Sequence, residues 1–419
     1  MSPVKHAPFA WWRDDAVLHR FVCDLISAEL ARARPTAPAS HSSTWDASLH
    51  LPRDLGLDSL EIVTLATALT EAIHLHESGI EDRLLARPTI GNWVATARDG
   101  LEVFSAAMTF RTSGSQGDPK RCTHELSTLW QEVQELAPLF AGRRRVLSAV
   151  RGHHIYGFLF TVLMPGPGAL ALSDASVVDL RHRVPTSLHS ELRDGDLVIG
   201  HPDFWRSVAR VGAVPAGVVG VTSTAHCPAE LAHQLSRAGL DSLVQIYGSS
   251  EMAGVGMRTD PEEPYALMSF WERTADDAEI LVRRAPDGRR IPYPLQDTLE
   301  WYDERHFRPA GRIDQAIQVA GVNVFPSRVR QVLMEHAAVL DAAVRRLYAD
   351  DASRLKAFMV LRAGFTGDDA LHAELEAWVA THLTAPERPK AFTFGATLPR
   401  DAAGKLTDWR VERWERAEP

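Results

Sequence analysis

The residue types best suited to phosphate chemistry lie in the segment TFRTSGSQGDPKRCTHE, residues 109–125. It contains the hydroxyls of Ser113 and Ser115, two glycines and Lys120. Glycine lets the backbone approach an anion closely, free N–H groups and hydroxyls donate to phosphate oxygens, and lysine adds positive charge. The spacing is not that of a Walker A loop, GxxxxGK[ST]. The segment predicts a phosphate-binding loop between a strand and a helix. Taken alone, it also fits a surface turn.

A second group of candidates lies in VQIYGSSEMAGVG, residues 244–256. Tyr247, Gly248 and Glu251 are expected just after the end of a strand. Ligands of α/β proteins bind at the carboxyl ends of strands. There an aromatic face can stack on a base, and a carboxylate can hold Mg²⁺ between phosphates.

Four further candidates follow toward the C-terminus. Asp297 lies in LQDTLEW, and GRIDQAIQVAG carries Arg312 and Asp314. An arginine–aspartate pair at a domain border suits ribose binding and a hinge. Lys405 lies on a glycine-containing turn in LPRDAAGKLTDW. Each of these residues, taken singly, also fits an ordinary solvated side chain.

Three regions, which differ in the spacing of their apolar residues, must position these candidates. Residues 13–100 show apolar stripes at helical spacing and predict a four-helix bundle. Residues 103–310 alternate strand-like apolar runs with helical segments, which predicts largely parallel or mixed sheets covered by helices. Residues 311–419 predict a small α+β domain. The expected fold class is therefore a multidomain α/β and α+β protein.

Composition limits the class of function. With a formal net charge of −9, the chain is not expected to bind nucleic acid mainly through electrostatic attraction. Three scattered cysteines fit a reducing compartment, and no histidine pair has metal-ligand spacing beside a carboxylate. The N-terminus lacks the pattern of a signal peptide, and no apolar run approaches the ~20 residues of a membrane span. A cytoplasmic protein with no membrane span is the expectation.

The order of these segments resembles the adenylate-forming superfamily of acyl-CoA synthetases, peptide-synthetase adenylation domains and luciferases. TSGSQGDPK is similar to its phosphate loop, YGSSE to its YGxTE motif, LQD to its TGD, GRIDQAIQVAG to its hinge segment and PRDAAGK to its PxxxxGK. The resemblance covers about residues 105–410. It implies an ATP- and Mg²⁺-dependent enzyme that converts a carboxylic acid to an acyl-adenylate and then to a thioester.

The resemblance also implies residue roles in nucleotide binding. Ser113, Ser115 and Lys120 are expected to hold the ATP phosphates. Tyr247 is expected to stack on adenine and Glu251 to bind Mg²⁺. The ribose hydroxyls are assigned to Asp297 and Arg312.

The remaining implied roles concern catalysis and domain movement. Asp314 is the expected hinge, and Lys405 is the expected catalytic residue that enters the cleft for adenylation and leaves it for thioester formation. His154, in HHIYGF, matches a position beside the acyl pocket, and its alternative is a core histidine. Gly321 is expected to line the tunnel for the thiol arm.

The chain departs from the family pattern at several positions. Gln116, Ser250, Gln296 and Gln318 replace the usual threonine, threonine, glycine and lysine of its motifs. These changes affect details of phosphate and pantetheine contact rather than the class. The phosphate loop also begins unusually early, near residue 111, so part of the large adenylating domain (103–310) is expected to be missing.

The segment DLGLDSLEIVTLATAL resembles the motif of acyl carrier proteins, in which the serine of DSL bears 4′-phosphopantetheine. Ser59 would be that serine, modified by a phosphopantetheinyl transferase. Asp58 and Glu61 form a capping-box pattern, so Ser59 is expected at a helix N-terminus, where backbone donors favour a phosphodiester. Alternatively, residues 13–100 are a scaffold or a dock for a separate carrier.

The acid and the acceptor follow from these resemblances. The segment RGHHIYGFLF lacks the acidic residue that pairs with the amine of an amino acid, which favours an aryl acid such as a hydroxybenzoate, or a short or medium acyl chain. The analogy is with ligases of pigment-type natural-product biosynthesis. The leading prediction is transfer to the phosphopantetheine of the fused or a separate carrier. The alternatives are ligation to free coenzyme A, and a degenerate fold that only docks a carrier.

Overall fold

A computed structural model describes the chain over residues 10–34, 45–112, 120–172, 177–184, 187–274, 279–312, 316–319, 322–348, 351–400 and 406–411. The chain divides into two compact units. The described residues up to 312, apart from residue 34, form the first unit, and those from 316 onward form the second.

The N-terminal region is helical, as predicted, but its described part has five α-helices rather than four. Their bounds are α1 (Asp15–Ala33), α2 (Leu51–Leu55), α3 (Ser59–Ala72), α4 (Asp82–Ala86) and α5 (Ile90–Val103). The expected capping box starts α3: the Asp58 carboxylate accepts from the Glu61 N–H, and the Glu61 carboxylate accepts from the Asp58 N–H. Gly56, with φ of 63°, ends α2 in the left-handed conformation.

The first unit is built around a nine-stranded mixed sheet, in agreement with the expected alternation of strands and helices. Its strand order is β13-β14-β9-β8-β7-β6-β5-β3-β4. The strands β3 to β7 run parallel, and β7 to β9, β13 and β14 pair antiparallel. The bounds are β3 (Arg145–Ser148), β4 (Val177–Asp179), β5 (Asp196–Gly200), β6 (Val219–Thr222), β7 (Ser242–Ser249), β8 (Ala253–Arg258), β9 (Tyr265–Leu267), β13 (Asp297–Trp301) and β14 (His306–Arg312).

Smaller elements complete this unit. An antiparallel hairpin, β1 (Ala107–Thr112) and β2 (Lys120–Glu125), precedes the sheet, and β10 (Trp271–Arg273), β11 (Ile280–Arg284) and β12 (Arg290–Pro294) form a three-stranded sheet. Its further helices are α6 (Leu126–Leu136), α7 (Ile155–Gly157), α8 (Leu188–Glu191), α9 (Pro202–Val211) and α10 (Ala229–Arg237). Since α9 and α10 connect successive parallel strands, they are the crossover helices expected of such a sheet.

The N-terminal helices and the sheet share one hydrophobic core. Trp11, Phe21 and Trp93 belong to the same buried cluster as Phe158 and Phe307. The rings of Trp11 and Phe158 meet edge to face, with centroids 5.2 Å apart. The structure therefore does not confirm a separate carrier-like bundle over residues 13–100, because many apolar side chains of these helices are buried in the core that they share with the sheet.

The second unit is a small α+β fold, as the sequence predicts for its C-terminal part. The strands β17 (Val339–Tyr348), β18 (Asp351–Leu361) and β19 (Ala391–Gly395) form one sheet, in which β18 and β19 run parallel. A hairpin of β15 (Ile317–Val319) and β16 (Val322–Val324) and the helices α11 (Pro326–Met334) and α12 (Asp369–His382) complete it. Among the helices of the described residues, none is long and apolar enough to cross a membrane.

Candidate active site

The expected phosphate loop connects β1 and β2. The register of this hairpin pairs Thr112 with Lys120, so residues 113–119 are its connection. Ser113 and Ser115 lie outside the described residues. Lys120 opens β2, and the helix expected after it begins only at Leu126. The half-exposed Lys120 side chain therefore extends from the start of a strand rather than from the loop before a helix.

Glu251 lies in the turn between β7 and β8, beside Lys120. The Lys120 Nζ is 2.7 Å from the Glu251 Oε1, so the structure brings together two of the predicted site residues, 131 positions apart in sequence. Burial opposes ionisation of this carboxyl group, but the hydrogen bond and charge of Lys120 outweigh it and lower the pKa of Glu251. Glu251 is therefore a carboxylate at neutral pH.

A second pair of site residues meets at the end of β7. Tyr247 and Gly248 are within this strand, not after it, and the Tyr247 hydroxyl donates to Asp297 Oδ2 at 2.7 Å. The Tyr247 ring is held by Tyr265 and Phe307, with ring centroids 5.8 and 5.2 Å away. This fixes one aromatic ring and one carboxylate next to each other.

The expected ribose pair is close in the sheet. Asp297 opens β13 and lies directly opposite Arg312 at the end of β14 in the antiparallel register. Residues in this relation have Cβ atoms within about 5.5 Å. The Arg312 side chain lies outside the described residues, so the structure gives the backbone position only.

His154 lies in the segment that follows β3 at the same edge of the sheet. The Gly152 N–H donates to Asp24 Oδ2 at 2.9 Å, and Arg181 lies 2.8 Å from the other oxygen of Asp24, which belongs to α1. The His154 side chain reaches solvent, yet desolvation and the charges of Arg151 and Arg181 lower its pKa to about 4. His154 is therefore a neutral imidazole at physiological pH.

Further polar side chains lie at the carboxyl ends of the parallel strands. The Tyr156 hydroxyl donates to the Gly200 carbonyl at the end of β5, at 3.0 Å. The Ser223 hydroxyl, just after β6, donates to the Ile246 carbonyl of β7 at 2.9 Å. Thr224 has φ of 74°, a left-handed conformation that is rare for a β-branched residue. Such an edge is where α/β sheets bind ligands.

Glu251 fits the Mg²⁺ that the family resemblance implies. Mg²⁺ prefers oxygen ligands and is held through one or two protein carboxylates together with substrate phosphates, rather than by an all-protein cage. Within the described residues there is no cluster of three or more histidine, cysteine or acidic side chains that could hold a metal ion. An ionised, partly exposed Glu251 beside Lys120 matches a metal that arrives with its nucleotide.

The other predicted site residues are placed only in part. Ser59 is the exposed first residue of α3, as expected. Asp314, Gly321 and Lys405 lie outside the described residues. A β-bridge joins Arg400 to Leu406, the described residues on either side of Lys405 in the sequence.

Sequence reasoning missed the side chains that hold the turn of Glu251. His124 Nε2 donates to the Ser250 carbonyl at 2.7 Å, and Glu132 accepts from the Gly254 N–H at 2.9 Å. A signal for Glu132 was present, because it falls on the apolar stripe of α6 with Leu129, Val133 and Leu136. Asp24 likewise lies among the buried positions of α1.

Similarity to known proteins extends over nearly the whole chain. A 4-coumarate–CoA ligase of Halorhodospira halophila is 38% identical over 395 residues, which is 94% of this chain and 98% of that protein. A second 4-coumarate–CoA ligase, of Rhodobacter capsulatus, is 36% identical over 404 residues, with 94% and 100% covered.

Two further comparisons agree. The family profile of the AMP-binding enzyme C-terminal domain matches residues 329–405. The amide bond synthetase McbA of Marinactinospora thermotolerans has the same fold, with a TM-score of 0.59 at 18% identity over 93% of this chain and 92% of that one. The chain thus belongs to the adenylate-forming ligase superfamily, and it is an acid–thiol ligase.

Proposed function

We propose that this enzyme activates an aryl acid with ATP and transfers it to coenzyme A. The observation that carries the proposal is the full-length likeness to ligases whose names give 4-coumarate as the acid and coenzyme A as the thiol. The alignment covers 94% of this chain, so most of residues 13–100 must lie within it. The likeness thus accounts for the N-terminal helices without a carrier role, which favours coenzyme A over the phosphopantetheine of a carrier as acceptor.

An acid without an α-amino group suits the environment of His154. Asp24, a carboxylate that the structure adds to this region, is 2% exposed and bound to Arg181 and the Gly152 N–H. A carboxylate committed to a guanidinium is a poor partner for a substrate ammonium group. The exposed, neutral His154 side chain offers ring surface, which favours an aromatic acid.

The first half-reaction forms a bond between the acid and the α-phosphate of ATP and releases pyrophosphate. Lys120 would stabilise the charge of the phosphates, and Glu251 would hold the metal ion that binds them, which lowers repulsion toward the incoming carboxylate. Tyr247 would cover the adenine, and Asp297 would accept hydrogen bonds from the ribose. Lys405 would complete the charge stabilisation. In the second half-reaction the thiol attacks the acyl carbon and AMP leaves.

The test is a thioester assay with a panel of hydroxycinnamic, benzoic and medium-chain fatty acids. Each acid is offered with coenzyme A or with a phosphopantetheine-bearing carrier, and pyrophosphate exchange is measured in parallel. We expect exchange and acyl-CoA formation with aryl acids, unchanged activity in Ser59→Ala, and loss of at least about a hundredfold in Lys405→Ala. Absence of exchange with every acid contradicts the function. Carrier loading that depends on Ser59 contradicts the choice of acceptor.

A further inference from the structure

Glu132 is a fully buried carboxyl group within an apolar face of α6. Its Oε2 accepts from the Gly254 N–H at 2.9 Å, while its Oε1 has no hydrogen-bond partner among the described residues. Burial of a carboxyl group costs free energy unless its polar atoms are paired. A carboxyl group with only one oxygen hydrogen-bonded destabilises the core relative to an apolar side chain. Its presence therefore suggests that the hydrogen bond to Gly254 has a function.

That hydrogen bond holds the turn between β7 and β8 from one side. The Gly254 carbonyl accepts from Trp271 Nε1 at 2.8 Å, so both backbone polar groups of Gly254 are bound to buried side chains. The buried Arg283 guanidinium donates to the Met252 carbonyl at 3.3 Å and to the Thr128 carbonyl of α6 at 2.5 Å. The turn is thus anchored on the α6 side and on the β10–β11 side.

The anchored residues follow Glu251 directly. His124 holds the Ser250 carbonyl before it, and Ala253 adopts φ of 62°, a left-handed conformation that costs a non-glycine residue about 1 kcal/mol or more. A backbone in this conformation persists where surrounding contacts hold it. The direction of the Glu251 side chain therefore depends on these buried contacts.

We infer that Glu132 is a positioning residue for Glu251: its hydrogen bond to Gly254 holds the turn in the conformation that presents the Glu251 carboxylate to the metal–nucleotide complex. The inference rests on the metal-binding role proposed for Glu251. Preorganised ligands bind more tightly because their ordering does not have to be supplied on binding. Loss of the Glu132 contact thus weakens metal-dependent nucleotide binding specifically.

Three variants separate this role from general destabilisation. Glu132→Leu removes the acceptor for the Gly254 N–H, whereas Glu132→Gln keeps an acceptor and removes the charge. Gly254→Ala acts from the other side, because a Cβ at this position would lie 2.3 Å from Glu132 Oε1 and displace the carboxyl group. Glu135→Gln, on the same helix, is the matched control, since Glu135 binds Ser269 rather than the turn.

The measurement is the dissociation constant of a non-hydrolysable ATP analogue by calorimetry, with Mg²⁺ and with EDTA, on the full chain. We expect Glu132→Leu and Gly254→Ala to weaken binding about tenfold with Mg²⁺ and to leave binding in EDTA within about twofold, as for the loss of one hydrogen bond. Glu132→Gln and Glu135→Gln stay within about twofold of wild type in both conditions.

The outcomes distinguish the inference from the function on which it rests. A wild-type protein that binds the analogue equally with and without Mg²⁺ overturns the metal role of Glu251 and this inference together. Wild-type Mg²⁺ dependence that survives in Glu132→Leu or Gly254→Ala overturns the inference alone, and so does an equal loss in both conditions. If Glu132→Leu does not fold, Gly254→Ala decides.

Discussion

At the residue scale, the Tyr247–Asp297 hydrogen bond makes a prediction about nucleotide affinity. Tyr247→Phe keeps the ring among Tyr265 and Phe307 but removes the donor to Asp297. Because a carboxylate with one fewer donor is less well fixed, we expect the KM for ATP to rise about three- to tenfold, with kcat at saturating ATP within about twofold. Steady-state kinetics with an accepted aryl acid measures both.

The matched control is Tyr265→Phe in the same aromatic cluster, whose hydroxyl faces Gln245 at 3.5 Å rather than Asp297. We expect its KM for ATP to stay near that of the wild type. Equal KM values for wild type and Tyr247→Phe would show that this hydrogen bond does not prepare the nucleotide site.

The buried carboxyl group of Glu132 is expected to make the free energy of unfolding depend on pH. Burial raises the pKa of Glu132 from 4.5 to about 7, against the charge of Arg283 and the hydrogen bond from Gly254. The folded protein therefore binds this proton more tightly than the unfolded chain. The free energy of unfolding should fall by about 3 kcal/mol as the pH rises from about 4.5 to about 7, because only the unfolded state ionises freely in that range.

Glu132→Gln removes this contribution. Urea unfolding at several pH values should show a flatter dependence between pH 4.5 and 7 in Glu132→Gln than in the wild type. Gln134→Ala, a neutral and exposed neighbour on α6, should keep the wild-type slope. An identical slope in Glu132→Gln and wild type contradicts the assignment of the proton to Glu132.

At the element scale, the sequence predicted those helix ends and strands that depend on interactions between residues close together in the chain. Asp58 and Glu61 fix the start of α3 through side chains three residues apart, and the apolar runs of β5, β6 and β7 read directly as strands. The helix expected soon after Lys120 begins later, because Cys122 and His124 alternate with exposed residues and form a strand. β2 is stabilised by its pairing with β1 along its whole length. A short window of sequence around Lys120 does not include β1 and so does not reveal this pairing.

The start of α3 supplies a prediction for this element. Asp58→Ala removes the acceptor for the Glu61 N–H and should lower the free energy of unfolding by about 1 kcal/mol, as for other lost N-caps. Denaturant unfolding measures the difference. Ser59→Ala, next to it, leaves both capping-box hydrogen bonds in place and should change stability by less than about 0.5 kcal/mol. Equal effects of the two substitutions would contradict a role for the cap.

At the scale of the whole molecule, the motifs selected residues that the structure places in pairs, whereas the helical pattern did not reveal the core shared by the N-terminal helices and the sheet. Tyr247 meets Asp297, and Lys120 meets Glu251, although the sequence separates the members of each pair widely. The carrier-like prediction for residues 13–100 followed the DSL segment together with the helix and loop before it and the closing helix after it. The N-terminal helices pack against a sheet whose residues are far away in the sequence. The amphipathic pattern of a helix shows that one face is buried but not which element covers it.

This shared core predicts that the N-terminal helices cannot be removed. A chain without residues 1–103 would expose Phe110 and Phe158 and lose Trp11, Phe21 and Trp93, all buried in one cluster. At about 2 kcal/mol for each large apolar side chain, the loss is comparable with the roughly 5–15 kcal/mol of stability of a typical protein. It would also remove Asp24 and leave Arg181 without that partner beneath the His154 segment. We expect no cooperative melting transition in circular dichroism and aggregation in size-exclusion chromatography. A truncated chain that melts cooperatively as a monomer would instead favour a helical region joined to the ligase as a separate domain.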